Sequence, residues 1–146
     1  TIFKIKNENI KVRFIGNLSM FSEKIQNKFS FISNETLNNT GVTITLALNY
    51  GGRSDIILAL NKILKKNTFS KIIEEHDFKK FTYNADLPYP DLLIRTGGEK
   101  RLSNFLLWDL AYTELMFIDQ MWPDFDNVIL DKCIHTFNKR VRNYGV

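Results

Sequence analysis

Asp91-Leu-Leu-Ile-Arg95-Thr-Gly97-Gly98-Glu99-Lys100-Arg101-Leu102-Ser103-Asn104-Phe-Leu-Leu-Trp108 sets the reading of the whole chain. Its apolar start, Leu92-Leu-Ile94, has the character of a buried strand. The glycine pair breaks that strand into a loop carrying Arg95, Arg101 and Ser103, and Ser103 or Asn104 is placed to cap a helix through about Tyr112. A diphosphate suits such a layout: N–H groups left over at a helix start, cationic forks beside them, and glycines that let an anion approach.

Working outward, the same strand-then-helix rhythm recurs. Ile10-Lys-Val-Arg-Phe-Ile15 alternates apolar and basic positions before the turn at Gly16-Asn17. Phe21, Ile25, Phe29 and Ile32 then repeat at helical spacing, predicting an amphipathic helix to about Asn38-Asn39. Val42-Thr-Ile-Thr-Leu-Ala-Leu48 is uncharged and rich in β-branched residues, as a strand covered by helices on both faces would be. Asn49-Tyr-Gly-Gly-Arg53 follows it. Ser54 or Asp55 could cap the next helix, which carries Ile57, Leu60, Ile63 and Leu64 on one face. Between Lys65 and Asn84 the chain is polar, with short helical pieces expected around Ile72-Ile73 and from Phe78 to Phe81. Pro88 and Pro90 keep helix out of the approach to the central strand. Beyond the central stretch, Leu115-Met-Phe-Ile118 reads as a strand and Trp122-Pro-Asp-Phe125 as a stop. Leu130, Ile134, Phe137 and Val141 line one side of a last helix with basic residues near its end. Strands alternating with helices predict an α/β fold, a mainly parallel sheet flanked by helices.

Composition supports a packed globule, with 44% hydrophobic residues and twelve phenylalanines among 146 residues. The formal charge of +4 is mild and spread along the chain, so no concentrated basic stripe marks a nucleic-acid surface. Cys133, the single cysteine, has no disulfide partner and no metal-ligand cluster around it. A reducing, cytoplasmic compartment fits. No apolar run reaches the roughly 18 residues that span a bilayer. Thr1-Ile-Phe-Lys-Ile-Lys6 looks like the tail of a helix already under way, so a preceding N-terminal part is expected.

The residues alone leave two readings of the central loop. Arg95, Arg101 and Ser103 converge within nine positions, which favours an anion cradle. Equally, both arginines could form surface ion pairs with Glu99 or Asp109. Glu114 is either exposed at a helix end or held to bind a cation. Neither His76 nor His135 has a partner at ligand or triad spacing, and Cys133 fits a small buried apolar residue better than a nucleophile. Trp122 and Phe125 are most simply core or interface aromatics.

The central stretch, continued by Ala111-Tyr-Thr-Glu-Leu115 and Trp122-Pro-Asp-Phe125, closely resembles the C-terminal motifs of the cis-prenyltransferases, the undecaprenyl diphosphate synthase family. Asn49-Tyr-Gly-Gly-Arg53 resembles another motif of that family. The likeness runs over almost the whole chain from about Ile10. It implies residues 1–146 as the C-terminal part of a single cis-prenyltransferase-like domain. The activity implied is the condensation of isopentenyl diphosphate with an allylic diphosphate such as farnesyl diphosphate, with Mg²⁺, to a long polyprenyl diphosphate such as undecaprenyl diphosphate. By motif match, Arg95, Arg101 and Ser103, with the Leu102 backbone between them, would hold the isopentenyl diphosphate. Glu114 would ligand Mg²⁺, across a homodimer interface, with Glu99 beside the site. A homodimer with peripheral membrane contact through its lipid product follows from the same likeness. The family's N-terminal aspartate motif, of Asp-Gly-Asn-Gly-Arg-Trp type, is absent, and Asn143-Tyr-Gly145 stands where the family often has Arg-x-Gly. These departures imply that the 146 residues alone are inactive, with no catalytic aspartate among them. They also admit a second role, a non-catalytic scaffold partnering an active subunit.

Overall fold

The computed structural model describes residues 2–66 and 72–140, and for Ile2 and Phe3 the backbone alone. The expectations for Val141 and Asn143-Tyr-Gly145 lie outside those residues. Two compact units divide the chain, Thr1–Ala85 and Asp86–Val146.

In the first unit, helix α1 (Ile2–Asn7) leads into strand β1 (Lys11–Ile15), and a 3-10 turn at Leu18–Met20 precedes helix α2 (Glu23–Glu35). Strand β2 (Thr43–Ala47) then pairs with β1 in parallel, Lys11 opposite Thr43 and Ile15 opposite Ala47. A parallel partner needs a crossover, and α2 supplies it. The crossover is fastened at Thr36, which is fully buried. Its hydroxyl accepts the Val12 N–H at 3.0 Å and donates to the Ile32 carbonyl at 2.9 Å, so one side chain ends the helix and ties it to the strand. Phe29 of α2 meets Phe14 at 4.6 Å and Phe21 edge-on at 5.4 Å. At the carboxyl end of the ladder Gly16 has φ +108°, and a Cβ there would meet the Leu48 carbonyl oxygen at 2.1 Å, so no side chain fits that turn.

Helix α3 (Gly52–Lys65) follows, then the short helix α4 (Glu75–Lys79). The expected caps are corrected: Gly51, in extended geometry, is the N-cap, and Asp55 lies inside the first turn with its side chain turned to other work. The buried face also differs, running through Asp55, Ala59 and Ile63, one turn apart, while Ile57, Leu60 and Leu64 are exposed. Strand β2 is likewise not covered on both faces among the described residues, since Ile44 and Leu46 are exposed. Ile72 and Ile73 are not helical.

In the second unit, β3 (Leu92–Arg95) pairs in parallel with β4 (Glu114–Phe117), Leu92 opposite Glu114 and Arg95 opposite Phe117. A 3-10 turn at Trp122–Asp124 leads to helix α5 (Asn127–Asn138), whose N-cap Asp126 accepts the Ile129 N–H at 2.9 Å. Leu110, Met116 and Cys133 are buried apolar residues among those described in this unit, which fits the apolar reading of the cysteine. Trp122 stacks on Phe125 at 5.9 Å but is 73% exposed, so it is not a core residue of this chain.

Among the described residues both strand pairs are parallel, and helices flank them, as the α/β reading expects. The pairs stand as two two-stranded ladders, one in each unit. Among the described residues no helix is long and apolar enough to cross a membrane.

Candidate functional site

The loop after β3 departs from expectation in its second half. No regular helix forms from Ser103 to Tyr112; the segment is a series of turns. The reason is local: Ser103, Asn104 and Leu106 have φ of 48°, 65° and 43°, and an α-helix cannot pass through left-handed residues. Nor are the glycine N–H groups left over for an anion. The Gly97 N–H bonds the Gln120 carbonyl at 2.8 Å and the Gly98 N–H the Ile118 carbonyl at 2.9 Å. With φ of +88° and +75°, the pair lets the loop fold back along the end of β4.

The side chains of this loop do gather. Arg95 ends β3, half-buried, and its Nη1 donates to the Arg101 carbonyl and to Ser103 Oγ, the latter at 3.0 Å. A planar guanidinium with several fixed donors suits such a cross-brace. It draws Arg101, Leu102 and Ser103 over the strand end, and the Leu102 carbonyl takes the Phe105 N–H at 3.0 Å to close the turn. Arg101 Nη1 lies 2.5 Å from Glu99 Oε2, with side chains 62% and 52% exposed. The ion-pair reading therefore holds for Arg101 and Glu99. Such a pair is weak enough to be exchanged for a better anion.

Glu114 is elsewhere. It opens β4 instead of following a helix, and it pairs across the ladder with Leu92, three residues from the Arg95–Phe117 level. At strand rise this is about 10 Å along the ladder. Its Oε2 takes a hydrogen bond of 2.6 Å from Arg140 Nη1, which also donates to the Leu115 carbonyl at 3.2 Å. The structure thus brings together Arg95, Arg101 and Ser103, with Glu99, and leaves Glu114 at the other end. Among the described residues no three acidic, histidine or cysteine side chains cluster to hold a metal. Both histidines are exposed; His76 lies beside Glu74 and Asp77 at 3.3 Å each.

In the first unit, the loop Asn49-Tyr-Gly-Gly-Arg53 is held by a residue the sequence reading treats only as a cap. Asp55, 4% exposed, takes the Tyr50 hydroxyl on Oδ2 at 2.9 Å and the Tyr83 N–H on Oδ1 at 3.0 Å. The Tyr50 and Tyr83 rings meet edge-on at 6.0 Å. Burial, with the Asp55 charge beside it, pushes the Tyr83 phenol above its ordinary range. An aspartate in the first turn of α3 is the one sequence signal for this anchor, and only its burial in the structure distinguishes it from a cap. Arg140 gave no signal, because its partner lies 26 positions away.

Comparison with known proteins extends this geometry. The prenyltransferase family model described as undecaprenyl diphosphate synthase matches residues 2–145. An isoprenyl transferase of Fusobacterium nucleatum is 45% identical over 97% of this chain and 63% of its own length. A farnesyl-diphosphate-specific ditrans,polycis-undecaprenyl-diphosphate synthase of Wigglesworthia glossinidia brevipalpis is 44% identical over 99% of this chain and 57% of its own. Among solved structures, lavandulyl diphosphate synthase from Lavandula x intermedia, in complex with dimethylallyl diphosphate, superposes with a TM-score of 0.92 at 33% identity, covering 99% of this chain and 64% of that one. The chain spans less than two thirds of the length of each of these relatives. With nearly every residue matched, the chain belongs to the undecaprenyl diphosphate synthase family of prenyltransferases.

Proposed function

We propose that this chain carries the isopentenyl diphosphate site of a cis-prenyltransferase, which condenses that substrate with an allylic diphosphate such as farnesyl diphosphate into a long polyprenyl diphosphate. Residues 1–146 are then the C-terminal part of a single domain, in agreement with the exposed apolar residues of β2 and α3 and with the greater length of the relatives. The observation that carries the reading is the brace from Arg95 to Ser103 and the Arg101 carbonyl, which fixes one guanidinium against a hydroxyl and the backbone of a second arginine.

In this reading Arg95 and Ser103 form the fixed part of the cradle and Arg101 the mobile part. The incoming diphosphate exchanges Glu99 for itself on the Arg101 guanidinium, because a doubly bonded phosphate is a stronger partner than an exposed carboxylate. The Leu102 backbone between Arg101 and Ser103 completes the cradle around the diphosphate. Glu114 offers a hard oxygen of the kind Mg²⁺ takes, and Mg²⁺ is commonly held by one or two carboxylates together with substrate phosphates and water. When bound, the ion supplies neutralisation of charge gathering on the departing diphosphate. Glu114 lies about 10 Å along the ladder from the arginine loop, and in this reading a second copy of the chain, in a homodimer, completes the site of its metal. A lipid product gives the protein a reason for peripheral membrane contact.

The test uses the longer protein, with radiolabelled isopentenyl diphosphate, farnesyl diphosphate and Mg²⁺. Chain elongation is expected, and Arg101→Ala should raise the KM for isopentenyl diphosphate far more than that for the allylic substrate. A protein that binds a homologous subunit but neither elongates nor binds isopentenyl diphosphate would be a scaffold, and the proposal would fail.

A further inference from the structure

We infer that the outer edge of β2 is a docking edge for a further β-strand, supplied by a part of the same protein outside these 146 residues. The inference rests on the reading of residues 1–146 as part of a longer domain. Its observations come from the β1–β2 ladder alone. In a parallel ladder each residue sends its N–H and its carbonyl to one side, and successive residues alternate sides. The Lys11 N–H bonds the Val42 carbonyl and the Leu48 N–H bonds the Ile15 carbonyl, both at 2.9 Å. Val42, Ile44, Leu46 and Leu48 therefore face β1, while Thr43, Thr45 and Ala47 direct their backbone groups to the other edge. Among the described residues β2 pairs with no strand but β1. Thr45 Oγ1 is buried without a hydrogen-bond partner among them, a group of the kind a cross-strand side chain satisfies.

The two edges of the ladder are built differently. Strand β1 carries Lys11 and Arg13, and the Val12 N–H on its outer edge is taken by the Thr36 hydroxyl at 3.0 Å. Charge and covering are how natural sheets blunt an edge. Strand β2, Thr-Ile-Thr-Leu-Ala, has neither charge nor proline, and Ile44 and Leu46 are each 43% exposed. An apolar edge of this kind takes up another strand readily. The chain spans only 63% and 57% of the length of two curated relatives, which leaves ample length for such a strand in a longer protein. A segment joined to this chain meets the edge at a high effective concentration that a second copy lacks.

The experiment reads amide hydrogen exchange residue by residue, by nuclear magnetic resonance, in the 146-residue chain and in the longer protein. Circular dichroism checks the fold of each. In the shorter chain at low concentration, Ile44, Leu46 and Leu48 should exchange slowly, and Thr43, Thr45 and Ala47 fast. In the longer protein both sets should be slow, the second by at least about tenfold relative to the shorter chain. If the shorter chain does not fold, the longer protein decides alone, since only a paired outer edge slows Thr43, Thr45 and Ala47 as much as their neighbours. Fast exchange of these three amides in the longer protein overturns the inference. So does slowing that grows with the concentration of the shorter chain and is missing from the longer protein, which assigns the edge to a second copy. A longer protein that elongates isopentenyl diphosphate but leaves the three amides fast keeps the functional reading and loses this inference. Slow amides in a protein that does not elongate do the opposite.

Discussion

At the scale of single residues, the buried carboxylate of Asp55 carries the most structure per atom. It holds the Tyr50 hydroxyl and the Tyr83 N–H at once, so truncation leaves two donors without their acceptor. An unsatisfied buried group costs about 1–3 kcal/mol, so Asp55→Ala should lose roughly 2–4 kcal/mol in urea unfolding, with Asp55→Asn losing less. The same carboxylate bears on pH. Tyr83 ionises above its ordinary range, through burial first and the Asp55 charge second. A phenol whose folded pKa is raised adds stability that is complete below the unfolded value of about 10 and is lost as pH rises through the folded value. Ultraviolet titration should therefore find one tyrosine ionising later than the unfolded chain, and Asp55→Asn should bring it part of the way back. A titration unmoved by that variant would limit the cause to burial. Asp77 is shifted the other way, lowered by its hydrogen bond from Lys80, which is exposed and so of little weight for stability.

At the scale of elements, the reading of sequence succeeded where one periodicity acts alone and failed where the loop backbone decides. Strands β1 to β4 and helices α2, α3 and α5 all occur in the segments where apolar patterning puts them, but the expected faces do not all turn inward: α3 buries Asp55, Ala59 and Ile63, and on α5 Cys133 is buried while Leu130 and Ile134 are exposed. The segment from Ser103 to Tyr112 has helix-forming residues and a good cap, yet Ser103, Asn104 and Leu106 are left-handed. The Arg95 brace to Ser103, a contact across eight positions, accompanies that geometry, and propensity encodes neither. The arginines and Ser103 were legible as a group; the employment of the glycine N–H groups by Ile118 and Gln120 was not. Two substitutions probe this level. Gly98→Ala forces a Cβ into φ +75° and should cost about 1–2 kcal/mol, with protection from hydrogen exchange falling at the amide that bonds Ile118. Asp126→Ala removes the cap of α5 and should cost about 1 kcal/mol, read as a drop in Tm.

At the scale of the whole molecule, the distribution of apolar surface is the informative quantity. Val42, Ile44 and Leu46 in and beside β2, and Ile57, Leu60 and Leu64 along α3, are all exposed. Single exposed apolar residues are ordinary, but a strand and a helix of one unit that both turn apolar side chains outward are uneconomical unless something covers them. The proposal that residues 1–146 are part of a longer domain predicts what covers the exposed apolar side of α3: a further segment of the same protein. The two cases separate in one variant. Ile57 is 56% exposed, so in the 146-residue chain Ile57→Gln should change unfolding free energy by less than about 0.5 kcal/mol. In a longer form that covers the face, the same change buries a polar amide and gives up the transfer of an isoleucine, a loss of about 2 kcal/mol. Urea unfolding of both lengths, with and without the substitution, measures the difference. A near-zero cost in both would show that α3 keeps this face to solvent at full length, and the single-domain proposal would fall.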